Sequence, residues 1–259
     1  MQGINDNGSG SIALLELALN LRKYSFNNAV RFAWFAAEEQ GLIGSYQYVS
    51  KLSNMELSKI ALYLNFDMIG SPNAGHFVFD PDCSNAEDPA QCPPAGVAHI
   101  RDTFQQYYSA SAGVPTQTTD DYGLSDYQAF LDAGIPAGYL STGVDAIITP
   151  AQALLYVLCL VTELSHLLTN KIRRWGTTAG DPFDPCWHKA CDTINNLNVN
   201  ALVITTKGAA YALATYANSV AGLGRVTSPL RGPFQRRSLF SSKVRRGDGP
   251  HIRSRRHRW

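Results

Sequence analysis

The sequence predicts an α/β fold, a three-layer α/β/α sandwich around a mixed, mostly parallel central sheet. Three observations carry that expectation. Short apolar runs alternate along the chain with segments of helical spacing. Several of these runs are apolar at consecutive rather than alternate positions, as in strands buried on both faces. Two of them end in acidic residues, and in an open α/β sheet the carboxyl ends of the strands are where ligands sit.

After a glycine-rich opening over residues 3–10, residues 11–21 have helical apolar spacing through Ile12, Leu15 and Leu19, with Leu14 and Ala18 beside them. Residues 30–36 (VRFAWFA) are expected as a buried strand, and 42–52 as a helix. A second buried strand is expected over 60–66 (IALYLNF), ending at Asp67. A short strand over 76–79 leads into a Pro-rich loop reaching Pro94. A helix is expected over 97–112, a short one over 126–132 before Gly134, a strand over 136–140 and a long closing helix over 198–223. No internal repeat is present.

The net charge of +1 hides a segregation. Residues 224–259 hold 11 Lys/Arg against the single acid Asp248, a net of +10 that leaves −9 on residues 1–223. The body is thus an acidic globular unit, and at 45% hydrophobic residues the chain has enough apolar content to bury a core. The tail has few apolar residues and is expected to be disordered, so no nucleic-acid partner is expected despite its charge. The opening residues have neither a basic start nor an apolar segment, so no signal peptide is expected in this chain. The longest apolar run, 151–162, falls short of the roughly 20 residues that span a bilayer, and no membrane partner is expected.

Of the five cysteines, Cys83 with Cys92 and Cys186 with Cys191 read as short-loop disulfides that suit an exported protein, leaving Cys159 single. The Cys186–Cys191 spacing also suits a zinc site, but no second cysteine–histidine cluster accompanies it.

Four places carry side chains suited to chemistry. Asp6 lies in GINDNGSG, where glycines permit close backbone approach. Glu38 and Glu39 follow the 30–36 run, Asp67 ends the second run in LNFDMIGSPN, and His188 sits in DPCWHKACD. Carboxylates with a histidine suit zinc or manganese, and a carboxylate beside a metal ligand suits a general base. Each also has an ordinary structural reading: a solvated acidic turn for Glu38–Glu39, a cap or turn for Asp6 and Asp67, and a surface histidine for His188. Ser11, Ser125 and Ser141 lack the Gly-x-Ser-x-Gly context of a nucleophile elbow. The Asn7-Gly8-Ser9 triplet reads as a chance glycosylation match within the same loop.

Taken in order, GINDNGSG, AEEQGLIGS, LNFDMIGSPN, SDYQAF, GIPAGYLSTG and DPCWHKACDTINNLN resemble the secreted two-zinc aminopeptidases of bacteria and fungi, especially the fungal leucine aminopeptidase type. The resemblance covers about residues 3–220. It implies two zinc ions, with Asp6 bridging both, Glu39 and His188 completing one site, and Asp67 binding the other. It implies that Glu38 is the general base that moves a proton from zinc-bound water to the leaving amine. Trp187, Ser125 and Asp126 fall on the substrate side. The implied substrates are peptides with a free amino terminus, the implied setting is extracellular, and a monomer is expected.

Four departures from that pattern stand out. The family carries a His-x-Asp motif about a dozen residues before the bridging aspartate. This chain starts five residues before Asp6, so it is expected to be truncated at its amino end and to lack one histidine ligand of the second zinc. Trp187 replaces a tyrosine whose hydroxyl would polarise the scissile carbonyl, and an indole N–H donates from a different place. Leu124 replaces a common arginine. Residues near 153–173 interrupt a junction that is normally direct, either as a translated intron or as a real apolar helix at the pocket rim. The expected organisation is a zinc-peptidase catalytic domain over 1–223, with that insert, and the basic tail over 224–259. Two alternatives to an aminopeptidase stand: another amide hydrolase on the same scaffold, such as a dipeptidase or carboxypeptidase, and a catalytically impaired fragment that binds metal or peptide weakly.

Overall fold

A computed structural model describes residues 2–80, 93–119, 123–155 and 178–224. The expected Cys83–Cys92 pair, Cys159, nearly all of the 153–173 insert and nearly all of the basic tail lie outside the described residues.

The helices are α1 (Gly10–Leu21), α2 (Ile43–Lys51), α3 (Asn54–Leu57), α4 (Val97–Gln106), α5 (Tyr127–Asp132) and α6 (Val199–Asn218). The strands are β1 (Tyr63–Phe66), β2 (Phe77–Phe79), β3 (Gln117–Thr119) and β4 (Ala137–Ser141). They form one sheet of order β1-β4-β2-β3. β1 pairs with β4 and β2 with β3 in parallel, while β2 and β4 are antiparallel. The sheet is mixed with parallel pairings in the majority, flanked by helices on both faces.

β4 is buried along its whole length, as its run of consecutive apolar residues requires. Leu140 joins Phe66 and Val78 in packing on α1, α4 and α6 through Ala13, Leu17, Ile100, Phe104, Ala209 and Ala212. Ala137 and Tyr139 face the opposite way, with Phe79, toward Tyr127 and Leu131 of α5. Tyr63 of β1 stacks on Phe130 of α5 with ring centroids 3.9 Å apart and planes 5° from parallel. Both faces of the sheet are thus closed by helices, and polar residues emerge where the strands end.

One expectation is corrected. Residues 30–36 form no strand: they have no regular secondary structure, and the nearest main-chain ties are Asn28 N–H to Ala217 O at one end and Gly44 N–H to Ala36 O at the other. Their side chains still behave as those of a sheet residue do. Phe32 packs against the α1–α6 layer, and Phe35 against Tyr48, Tyr63 and Phe130 on the other. The helix expected over 11–21 is present as α1. It turns Ala13 and Leu17 inward and leaves Ile12, Leu15 and Leu19 exposed. A Cβ on Gly10 would collide with Phe66 O and Asn7 Oδ1, so the glycine allows α1 to start against the end of β1 and sets its rotation. β3 was not foreseen from sequence, because QTT has no apolar run to mark it.

Candidate metal centre

The centre is built from the ends of three segments. The turn Ile4–Ser9 precedes α1 and is fixed almost entirely by its own short polar side chains. Asn5 is fully buried: its Nδ2 donates to Ser71 Oγ at 3.1 Å and Asp184 Oδ2 at 2.7 Å, and its Oδ1 accepts from Gly70 N–H at 3.0 Å. Asn7 Nδ2 donates to Phe66 O at 3.0 Å. Ser9 Oγ donates to Asn5 O at 2.7 Å and accepts from Ile69 N–H at 3.1 Å. Asn5, Asn7 and Ser9 therefore stitch the turn to the chain beyond β1. The Asp6 carboxylate is left over, and its Oδ2 is buried without a hydrogen bond.

The second segment is the turn after residues 30–36 that carries Glu38 and Glu39, where the N–H groups of Gly41 and Leu42 bond to Glu38 O. The third is the 184–192 loop, closed by the Cys186–Cys191 disulfide. Two buried carboxylates tie it down. Asp184 Oδ1 accepts from Cys186 N–H at 2.8 Å and Asn196 Nδ2 at 2.9 Å. Asp192 accepts the backbone N–H of Asn5 at 2.9 Å and of Asp6 at 3.0 Å, one on each oxygen. The sequence did not single out Asp184, Asp192 or Asn5. The only available signal was the density of short polar residues in GINDNGSG and DPCWHKACDTINNLN.

These ties bring His188 Nε2 to 3.3 Å from Asp6 Oδ2 and 2.8 Å from Glu39 Oε1. One ligand atom from each of Asp6, Glu39 and His188 lies within 4.8 Å of the others, the one such three-group cluster among the described residues. Two carboxylates and an imidazole around an unsatisfied buried oxygen fit a divalent cation of the zinc type. Trp187 stacks on the His188 ring at 4.0 Å. His188 itself adopts φ 55°, and Ala37 before the glutamate pair and Met68 after Asp67 adopt φ 59° and 51°. Left-handed backbone at non-glycine residues costs roughly 1–2 kcal/mol each, and here it occurs at His188, next to Glu38 and next to Asp67.

Asp67 lies beside this cluster but not within it. Its Oδ2 accepts the Ser125 hydroxyl at 2.7 Å, while Oδ1 is buried without a hydrogen bond. Ser125 in turn accepts from Asn65 Nδ2 at 2.9 Å, and Asn65 Oδ1 accepts from Tyr63 OH at 3.0 Å, a relay from β1 into the site. Leu124, just before it, is exposed.

The site is strongly acidic and partly dry, so its carboxyls hold protons firmly. Burial, then the neighbouring Asp67, Glu39, Asp126 and Asp6, pushes Glu38 up to about 8. Burial, then Asp67 and Glu39, raises Asp6 to about 7, against a lowering pull from His188. Asp67 rises to about 6, chiefly through burial and against the opposing Ser125 hydrogen bond. Asp126 is raised by burial, with the Ser45 hydroxyl pulling the other way. A cluster that resists losing its protons to this degree is matched to a bound cation.

A mixed α/β sheet with helices on both faces and a carboxylate–imidazole cluster beyond its strand ends defines the α/β zinc-exopeptidase type of architecture. The chain belongs to peptidase family M28, which matches residues 1–213. It is 40% identical over 249 residues to leucine aminopeptidase 2 of Trichophyton rubrum, covering 96% of this chain and 45% of that protein. It is 43% identical over 221 residues to the probable leucine aminopeptidase 2 of Aspergillus oryzae, covering 85% and 40%. Among solved structures, the aminopeptidase from Aneurinibacillus sp. strain AM-1 superposes with a TM-score of 0.57 at 24% identity, over 83% of this chain and 40% of that one. BSAP, a zinc aminopeptidase from Bacillus subtilis, gives 0.58 at 22%, over 84% and 43%. These structural likenesses show the fold. The chain spans less than half the length of the relatives it matches.

Proposed function

We propose that this chain carries the catalytic face of a zinc-dependent aminopeptidase, with Asp6, Glu39 and His188 as the principal metal ligands. The convergence of those three side chains beside Glu38 supports the reading. Zinc held there supplies Lewis acidity, polarising a carbonyl and acidifying water. The chain's own groups do the rest. Glu38, whose proton affinity lies near neutral pH, takes a proton from the attacking water and delivers it to the leaving amine. Asp67 offers its second carboxylate oxygen either to another cation or to the ammonium of a free peptide amino terminus, while Ser125 holds its first. Trp187 steadies the His188 ring. The Cys186–Cys191 bridge supports an exported setting, where such bonds persist. No helix among the described residues is long and apolar enough to cross a membrane.

A second reading, a one-ion chain of low turnover, is favoured by the single three-group cluster among the described residues. Zinc analysis combined with hydrolysis of aminoacyl anilides separates the two. Two zinc ions per chain, with cleavage confined to substrates bearing a free amine, are expected for the full aminopeptidase. Equal cleavage of amino-blocked substrates rejects that specificity. One zinc and little or no turnover at saturating metal supports the second reading.

A further inference from the structure

The hydrogen bonds of the segment from Pro185 to Cys191 close upon themselves. Cys186 N–H bonds to Asp184 Oδ1, Lys189 Nζ to Pro185 O and Lys189 N–H to Cys186 O. The N–H groups of Asp192 and Thr193 bond to Lys189 O and Cys191 O. Each of these ties lies within residues 184–193. The polar contacts that leave the segment come from one side chain, His188, whose Nε2 reaches Asp6 and Glu39. Pro185 and the run from His188 to Cys191 are exposed, with Cys186 and Trp187 half-buried. The buried anchors Asp184 and Asp192 stand outside the two cysteines, one at each end. The Cys186–Cys191 bond is thus the covalent closure that keeps the loop in shape, around a histidine with left-handed backbone at φ 55°. Once the loop is open, such a residue relaxes to an ordinary conformation, and its ring leaves Asp6 and Glu39.

We infer that the Cys186–Cys191 bond is a thiol-operated switch on the metal centre, with Cys191 as the sulfur that small thiols of the glutathione class attack. The inference rests on His188 being a metal ligand. Cys191 is the exposed member of the pair and so the accessible one. A thiolate attacks Cys191 Sγ and forms a mixed disulfide there, while the electrons of the old S–S bond leave with Cys186 Sγ, which takes up a proton. A second thiolate attacks the small-molecule sulfur and releases Cys191 as its thiol. Two small thiols are thereby oxidised to one disulfide, and the protein disulfide is reduced to two thiols. The opened loop keeps its ends at Asp184 and Asp192, so the fold stays and His188 alone is freed. Where thiols are abundant the chain binds zinc weakly, and where disulfides persist the centre is completed.

Zinc affinity of the full chain, measured by competition against a chromophoric chelator, tests this in three forms. The first is oxidised. The second is reduced with dithiothreitol and freed of it by anaerobic gel filtration. The third is the oxidised C186S/C191S variant, which has no thiol in the loop to bind zinc itself. The reduced chain and the variant are each expected to bind zinc about 10–100-fold more weakly than the oxidised chain, the usual effect of losing the support behind a metal ligand. Oxidised glutathione should restore the reduced chain and leave the variant unchanged. In the metal-free variant, amide exchange should quicken within residues 186–191 and stay slow in β4 and α6, which separates an opened loop from unfolding. Parent affinity in the variant overturns the inference, because any effect of reduction then belongs to another bond. General loss of amide protection overturns it as well, since the bond then supports the fold and not the ligand. His188→Ala is the reference. Parent affinity there rejects the ligand reading itself, whereas weak binding by His188→Ala with parent affinity in C186S/C191S rejects the switch alone.

Discussion

The Nε2 of His188 lies 2.8 Å from Glu39 Oε1, so these two side chains satisfy each other when no cation is present. A ligand histidine must present a lone pair where this contact places a shared proton. On the proposed ligand set, metal binding would be an exchange in which a cation displaces protons from the cluster.

Zinc affinity should accordingly rise with pH between about 6 and 8, the range in which Asp67, Asp6 and Glu38 lose their protons. Calorimetric titration in buffers of different ionisation enthalpy should show net proton release, largest at the lower pH. Affinity independent of pH across that interval would reject the assignment of these carboxyls to the centre.

The same groups govern the stability of the metal-free protein. A carboxyl whose affinity for protons is raised by folding favours the folded state while it is protonated. Its contribution is complete below the ordinary values near 4 and is lost as pH climbs through about 6, 7 and 8. The thermal midpoint without metal should fall from pH 5 to pH 8, and saturating zinc should remove most of that slope. A midpoint that rises over this range contradicts the electrostatics described.

Glu38→Gln should lower kcat by about 10²–10⁴, the usual range for a lost general base, while zinc content stays at the parent level. Retention of most activity would show that another group moves the proton.

Asp192→Ala should cost roughly 10–100-fold in zinc affinity although Asp192 touches no ligand atom. It accepts the N–H of Asp6 and Asn5 and so sets where the Asp6 carboxylate stands. Competition against a chromophoric chelator would measure the effect, and an unchanged affinity would leave Asp192 with a purely structural role.

Ser125→Ala should raise the proton affinity of Asp67 further above about 6, because the hydroxyl now favours its charged form. The acidic limb of the pH–rate profile should move upward. A hydrogen bond to a charged group is worth about 1.5–3 kcal/mol, so a shift of about one unit is expected. A profile that stays in place would show that Asp67 does not titrate in the working enzyme.

Much of the sheet was legible because β4 and β1 are apolar at consecutive positions and end in polar residues. Residues 30–36 carry the same signature, yet a strand exists only when a neighbour completes its ladder, and no single segment encodes that. The buried face of α1 was not legible for a related reason. Ile12, Ala13, Leu14, Leu15, Leu17, Ala18 and Leu19 surround the helix with apolar groups, so spacing alone selects no side. The close approach of Gly10 to Phe66 decides it. At the centre, side chains suited to chemistry stood out by type and position. Asp184 and Asp192 did not, since a carboxylate that accepts backbone N–H groups resembles any turn acid until the turn is folded.

The hydrogen bond from Asn5 N–H to Asp192 joins positions 187 residues apart. Closing so long a loop has an entropic cost that no local fragment can recover from one contact. Asp6 and His188, the proposed ligands, therefore meet only when the sheet between them has assembled. Any cation held there shifts the unfolding equilibrium by mass action, by about 2.7 kcal/mol at a free concentration one hundred times its Kd. Metal held by this centre would therefore report on the assembly of the whole sheet, and a chelator would lower the thermal midpoint of the metal-loaded chain to that of the metal-free protein.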